Sequence, residues 1–191
     1  LILKGADFVL GVETNSQSRE KAQALIKTLQ LDSQTAFQKY LSETDLGKFD
    51  IIISQHSMEH FPDPEKIFDI MISALHPRGE LLISLGPPWF APYGSHMQFF
   101  TPIPWVQLLF SEGTVMNVRK RFRDDGAKKY QDVESGLNKM SVKKFEKLIH
   151  KKKLKIKYQR YGCVKKLTPL GCVPWARELF INQVNCILIK P

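Results

Sequence analysis

The chain alternates between two spacings of apolar residues. Residues 7–13 (DFVLGVE) are a short apolar run ending in an acid, which predicts a parallel strand. Across residues 17–30, Ala22, Leu25, Ile26 and Leu29 recur at helical spacing behind Ser16 or Ser18 as N-cap, predicting an amphipathic helix. Residues 35–41 predict a weaker strand. Residues 50–54 (DIIIS) are apolar on both faces, as a central parallel strand requires. A well-punctuated helix follows. Asp63 caps it, and Pro64 takes a first position that needs no N–H. Ile67, Phe68, Met71, Ile72 and Leu75 form its buried stripe. Pro77 and Gly79 stop it, and residues 80–85 (ELLISL) return to strand. Residues 49–89 thus make a complete strand–helix–strand crossover, and this alternation predicts a parallel sheet.

After Gly86 the texture changes to GPPWFAPYGSHMQFFTPIPW, rich in proline and aromatics. Residues 102–112 predict a short helix with Trp105, Leu108 and Leu109 facing inward, and residues 117–138 read as a polar loop. Ser141 caps a helix reaching about Lys152, with Phe145, Leu148 and Ile149 buried. Residues 154–162 and 183–190 predict strands, separated by a proline-containing segment with a short helix over 175–181. Lys153, Lys155 and Lys157 alternate with Leu154, Ile156 and Tyr158, the pattern of a half-buried strand with a solvated lysine face.

A length of 191 residues fits one domain, and 43% hydrophobic with 25% charged residues is ordinary for a soluble globular protein. No run approaches the ~18 apolar residues of a membrane helix, and the first residues lack the pattern of a signal peptide. The expected location is therefore cytoplasmic. Cys163, Cys172 and Cys186 form no C-x-x-C pair, so buried, reduced thiols are expected rather than a disulfide framework or zinc knuckle. The formal net charge of +9 suits an anionic partner such as nucleic acid, anionic glycan or a membrane surface. Much of that excess lies in residues 143–166, where a solvated lysine face accounts for it without any partner.

Several residues carry candidate chemistry. Glu13 ends the first strand, where an acid can accept both hydroxyls of a ribose, or can simply be solvated. The phosphate fingerprint G-x-G-x-x-G is absent, and Gly5 reads as the end of a helix begun before residue 1. His56-Ser57-Met58-Glu59-His60 matches H-x-x-E-H, which on a long helix would ligate zinc, with Glu134 available as a third ligand. Pro62 and Pro64 leave too little length for that helix, so no metal is expected. His96, polar among aromatics, is a general base or substrate contact, or a histidine hydrogen-bonded within its loop. Trp89, Phe90, Tyr93, Phe99, Phe100 and Trp105 either wall an apolar pocket or pack the loop onto its sheet.

Together these segments resemble the class I S-adenosylmethionine-dependent methyltransferases, particularly the methyltransferase type 11 group. FDIIISQHSMEHFPDPEKIFDIMISALHPRGELLISL is similar to that family's fourth strand, LEH-like loop, following helix and fifth strand. GADFVLGVE resembles the end of its first helix and the second strand with its ribose-binding acid. LKIKYQRYGC and QVNCILIKP resemble its last two strands, whose antiparallel pairing separates this fold from NAD-binding Rossmann domains. The resemblance implies a single α/β domain over residues 1–191: a Rossmann-like, mostly parallel sheet with an antiparallel C-terminal strand and helices on both faces. A Pro/aromatic-rich substrate-loop insertion would occupy about residues 86–140.

It also implies S-adenosyl-L-methionine as cofactor. Glu13 would bind the ribose, Ser42 and Glu43 would sit by the adenine, and Gln55 and His56 would line the methionine side. Glu59 and His60 match the family's EH pair, which shapes the loop. Trp89, Tyr93 and His96 would contact substrate, with His96 and His60 as catalytic bases where the acceptor must lose a proton. The implied acceptor is a small molecule or a glycan or lipid intermediate. The alternatives are a non-catalytic methyltransferase-like binding protein and a nucleic-acid methyltransferase, the latter disfavoured because no N-P-P-Y-like tetrapeptide follows residues 50–54. The family's first strand and glycine-rich loop would precede Leu1, so cofactor binding by these 191 residues alone is expected to be impaired.

Overall fold

The two strand pairs joined through a single helix run parallel, and antiparallel pairing appears only at the last strand. The computed structural model describes residues 1–164 and 167–190; Lys165 and Lys166, at the end of the basic stretch, and Pro191 lie outside the described residues. The chain divides into two units, Leu1–Leu46 and Gly47–Pro191.

In the first unit a 3₁₀ turn, Ile2–Lys4, ends at Gly5, whose φ of 93° favours glycine. Then come β1 (Val9–Val12), α1 (Ser16–Thr28) and β2 (Thr35–Gln38), both strands shorter than the apolar runs predicted. β1 and β2 pair in parallel, with Val9 opposite Thr35 and Val12 opposite Gln38. The cap of α1 is Asn15, not Ser16 or Ser18: its backbone is extended and its side chain accepts from the Ser18 N–H. The stripe expected to be buried is largely open, with Leu25 58% and Leu29 56% exposed.

The second unit holds β3 (Phe49–Gln55), α2 (Pro64–Ala74), β4 (Leu75–Leu85), α3 (Val106–Leu109), α4 (Glu112–Arg119), α5 (Val142–Lys151), β5 (Lys155–Cys163), α6 (Thr168–Gly171), α7 (Arg177–Phe180) and β6 (Ile181–Ile189). Its sheet order is β3-β4-β6-β5. β3 runs parallel to β4, while β6 is antiparallel to both β4 and β5. A mixed α/β sheet with a reversed last strand is what the sequence led us to expect.

Local details differ. Asp63 and Pro64 start α2 as predicted, but Leu75 belongs to β4, which starts before the Pro77-x-Gly79 stop. β3 is an edge of this sheet rather than a central strand, and Ile51 and Ile53 lie exposed. The helix expected over 102–112 shrinks to one turn in which Val106 and Gln107 are buried, whereas Leu108 and Leu109 face out. Trp105, at φ 56°, takes a left-handed conformation that resets the phase of that turn. α4 falls partly in the segment read as a loop; Ser111 caps it, and buried Arg119 holds Asp125 through two charge-assisted bonds of 2.6 and 2.5 Å. On β5 the lysine face is solvated as expected, but beyond buried Leu154 the apolar face is not covered, and Ile156 and Tyr158 are exposed.

Two apolar clusters organise this unit. Phe68 and Met71 of α2, Phe145, Leu148 and Ile149 of α5, and Leu81, Ile83 and Leu188 of β4 and β6 form the larger one. Phe68 and Phe145 meet edge to face at 6.4 Å. Met97, Val106, Val115, Met116, Tyr130 and Leu137 form the smaller one, with Trp89 and Phe100 packed against it. The Pro/aromatic-rich segment therefore carries its own core. No helix among the described residues is long and apolar enough to cross a membrane. Cys186 is buried, but Cys172 is exposed and so departs from the picture of uniformly buried thiols.

Phe145→Ala is expected to lower stability by about 3–5 kcal/mol, read from urea unfolding midpoints, because it empties the aromatic contact between α2 and α5. Burial pushes the Cys186 thiol up to about 12, so at pH 8 iodoacetamide should label Cys172 and spare Cys186 in the native protein. Equal labelling of both, mapped by peptide mass spectrometry, would contradict the packing.

Candidate functional site

β3 ends at Gln55, and the chain turns at once: His56 has φ 48°, and residues 58–60 form a turn, not the helix that a zinc-protease signature needs. The His56 N–H donates to the Ser84 carbonyl at 2.7 Å, and its Nδ1 lies 2.8 Å from the Gly86 carbonyl. A carbonyl only accepts, so Nδ1 carries the proton. Glu59 Oε1 accepts the Gly86 N–H at 3.3 Å. Gly86 is thus bonded on both sides by this turn. It sits at φ 151°, and an added Cβ would lie 2.5 Å from the Asn182 carbonyl oxygen, which is why glycine stands there.

A second segment holds the other side of the turn. His60 Nδ1 lies 2.7 Å from the Gly136 carbonyl. The Asn138 side chain donates to the carbonyls of Met58 and Phe61 at 2.7 and 2.8 Å, and its backbone N–H donates to that of Glu59 at 3.0 Å. Nothing in the polar stretch around Asn138 marked it as part of a site.

His96 reaches the same place from the insertion. Its ring meets that of His60 edge to face at 5.1 Å. One ligand-competent atom from each of Glu59, His60 and His96 lies within 4.8 Å of the others. His56 and Glu134, which the H-x-x-E-H reading nominated, are not in this group, and Glu134 is exposed. Burial raises the Glu59 carboxyl above its ordinary range, partly offset by backbone N–H donors and by His60. Burial, aided by His60, lowers His96 to about 4, so its imidazole is neutral at physiological pH. Glu59 Oε2 and His96 Nε2 are buried without a hydrogen-bond partner.

The other predicted residues are placed as follows. Trp89 packs its ring edge to face on Tyr130 at 4.8 Å, and the Lys139 ammonium lies 5.4 Å from both ring centres. The Tyr93 hydroxyl donates to the Pro102 carbonyl at 3.4 Å. These two aromatics are therefore engaged in shaping the insertion. A small recess beside them is lined by Glu59, Pro87, Trp89 and Lys139. Gln55 is exposed at the carboxyl end of β3. In the first unit, half-buried Glu13 follows β1; its N–H donates to Gln38 and its Oε1 accepts from the Asn15 N–H at 2.8 Å. Ser42 and Glu43 begin a 3₁₀ turn at the same end of that strand pair, tied to it by Gln38 donating to Asp45 at 2.9 Å. The Ser42 hydroxyl is spent on Asp45, whereas Glu43 is exposed.

With this geometry in view, a family profile described as "Methyltransferase domain" matches residues 3–120. Solved structures share the fold. Geranyl diphosphate C-methyltransferase from Streptomyces coelicolor A3(2) superposes with a TM-score of 0.62 at 12% identity, over 99% of this chain and 64% of that one. An S-adenosylmethionine-dependent methyltransferase from Mesorhizobium loti gives 0.58 at 15% identity, over 98% and 82%. The YcgJ protein from Bacillus subtilis gives 0.57 at 12% identity, over 97% and 83%. No curated protein matches the chain in sequence.

Asn138→Ala removes the donors to Met58 and Phe61. It is expected to cost about 1–3 kcal/mol of unfolding free energy in urea titrations. A loss within ~0.5 kcal/mol would mean that the turn holds itself.

Proposed function

The chain belongs to the methyltransferase domain family, and on that premise we propose that it transfers a methyl group from S-adenosyl-L-methionine to a small-molecule, glycan or lipid-intermediate acceptor. The family match over residues 3–120 carries the reading. The reversed β6 lying between β4 and β5 supports it. We treat residues 1–191 as one methyltransferase-like domain.

The residues present suit such a cofactor. Glu13 keeps acceptor capacity beyond the Asn15 bond, as two ribose hydroxyls would require. Exposed Glu43 is the better candidate than Ser42 for the adenine edge, because the Ser42 hydroxyl is engaged. Gln55 and His56 lie at the carboxyl end of β3, where ligands of open α/β sheets sit. The bonded Nδ1 of His56 fixes its ring and leaves Nε2 to accept. When bound, S-adenosylmethionine supplies a methyl group already activated by its sulfonium, so the protein chiefly positions the acceptor and excludes water.

The insertion is the acceptor side. Its separate core of Trp89, Tyr130 and neighbours gives a rigid wall. His60 and His96 present ring nitrogens that can hold, and take a proton from, an acceptor hydroxyl or amine. His96, lowered to about 4 by burial, resists protonation. It suits holding an acceptor by hydrogen bond, leaving His60 to accept the proton.

Calorimetric titration of S-adenosylhomocysteine into the full-length gene product is expected to show one site, weakened about 10–100-fold by Glu13→Ala, the loss of about one hydrogen bond to a charged group. His60→Ala should leave that affinity unchanged while lowering kcat for a hydroxyl or amine acceptor by ~100-fold or more. Absence of S-adenosylhomocysteine binding in the full-length protein would sink the reading and favour a non-catalytic binding protein.

A further inference from the structure

We propose that Glu59, His60 and His96 form a binding site for one divalent transition-metal ion of the zinc class. The three side chains come from two distant stretches of sequence, and one ligand atom from each lies within 4.8 Å of the others. Their other polar atoms are already committed in the manner of a metal site. His60 donates Nδ1–H to the Gly136 carbonyl, which fixes the tautomer and leaves the Nε2 lone pair. The Pro87 carbonyl acts as acceptor for the His96 ring. His96 Nε2 is buried without a partner. Glu59 spends Oε1 on the Gly86 N–H, and its Oε2 is also buried without a partner.

Two buried polar atoms left without hydrogen-bond partners are costly. One cation satisfies both at once. A tetrahedral ion with ~2.0–2.2 Å bonds holds its ligand atoms ~3.4 Å apart, so loading would draw the three side chains together by small rotations. Two imidazoles and one carboxylate select zinc, iron(II) or cobalt over magnesium or calcium, which prefer oxygen donors. Three protein ligands leave a coordination position open. If the methyl-transfer reading above holds, that position would receive an oxygen of the acceptor. In the loaded protein the cation would lower the acceptor hydroxyl's pKa, and, with both imidazole lone pairs engaged, the released proton would pass to solvent rather than to His60.

The site is distinct from the H-x-x-E-H reading. That pattern needs His56, which is outside the group and has its Nδ1 bonded to Gly86. The determining residue is His96, 36 positions beyond His60 by the numbering.

The test is competition for Zn²⁺ between the metal-free protein and a chromophoric chelator, with thermal unfolding alongside. The native chain should take up one equivalent and rise in melting temperature. Glu59→Gln and His96→Gln, close in size to the native residues, should each weaken uptake by more than the ~10–100-fold that loss of an outer-shell partner costs. They should also abolish the thermal shift. A surface control, His76→Ala/His150→Ala/Cys172→Ser, should bind as the native chain does, since all three residues are exposed. No stoichiometric uptake by the native chain, or uptake and thermal shift unchanged in both site variants, overturns the proposal. Glu13→Ala should leave Zn²⁺ uptake intact, so failure of the metal site and failure of cofactor binding are separable.

Discussion

The turn that follows β3 must satisfy a dense set of polar groups, several of them out of water's reach, and much of the second unit is arranged around that requirement. Within residues 56–61 lie two histidines, a glutamate buried to 2% exposure and several backbone carbonyls. Gly86, at the end of β4, answers from one side through both its N–H and its carbonyl. Gly136 and Asn138 answer from the other. Because an unpaired buried polar group costs as much as several apolar contacts gain, these bonds fix the turn more tightly than packing alone could. The larger apolar cluster supplies the frame: α2 and α5 pack over β4 and β6, and so hold the ends of β3 and β4 in register.

The chemistry of the turn follows from the same confinement. A carboxylate and an imidazole withdrawn from water each drift toward the neutral form, upward for Glu59 and downward for His96. His96 and Glu59 therefore place a neutral nitrogen lone pair and a poorly solvated carboxyl in one small volume. Such a group can accept a proton, hold a polar acceptor, or gather a cation. What it cannot do cheaply is stand alone, and that asymmetry is why the reading of this site turns on what comes to meet it.

The insertion between β4 and α5 matters to this in a second way. It builds its own core from Met97, Val106, Tyr130 and their neighbours, so His96 is delivered on a packed scaffold. Of its aromatics, read from sequence as pocket wall or packing, Trp89 and Phe100 pack inward, while Phe99 is exposed beside Arg123, whose guanidinium lies 4.6 Å from the ring centre.

Local patterning alone determined the crossover of residues 49–89, the capped α2 and α5, and the last two strands, because periodicity and capping act over a few residues. It also nominated His60 and His96, among other residues, as candidates, and gave Glu59 a loop-shaping role. The errors have local causes too: Asn15 outcompetes two serines as a cap because its backbone is extended there, and the left-handed Trp105 shifts which side of α3 is buried. Only the tertiary structure decided that β3 lies at an edge of its sheet, with Ile51 and Ile53 uncovered. Only it brought His96 rather than His56 to Glu59 and His60, and set Asn138 across from Met58, 80 residues away. No short-range pattern encodes such pairings, since they arise when separate elements pack and each buried polar group takes the nearest partner that geometry leaves it.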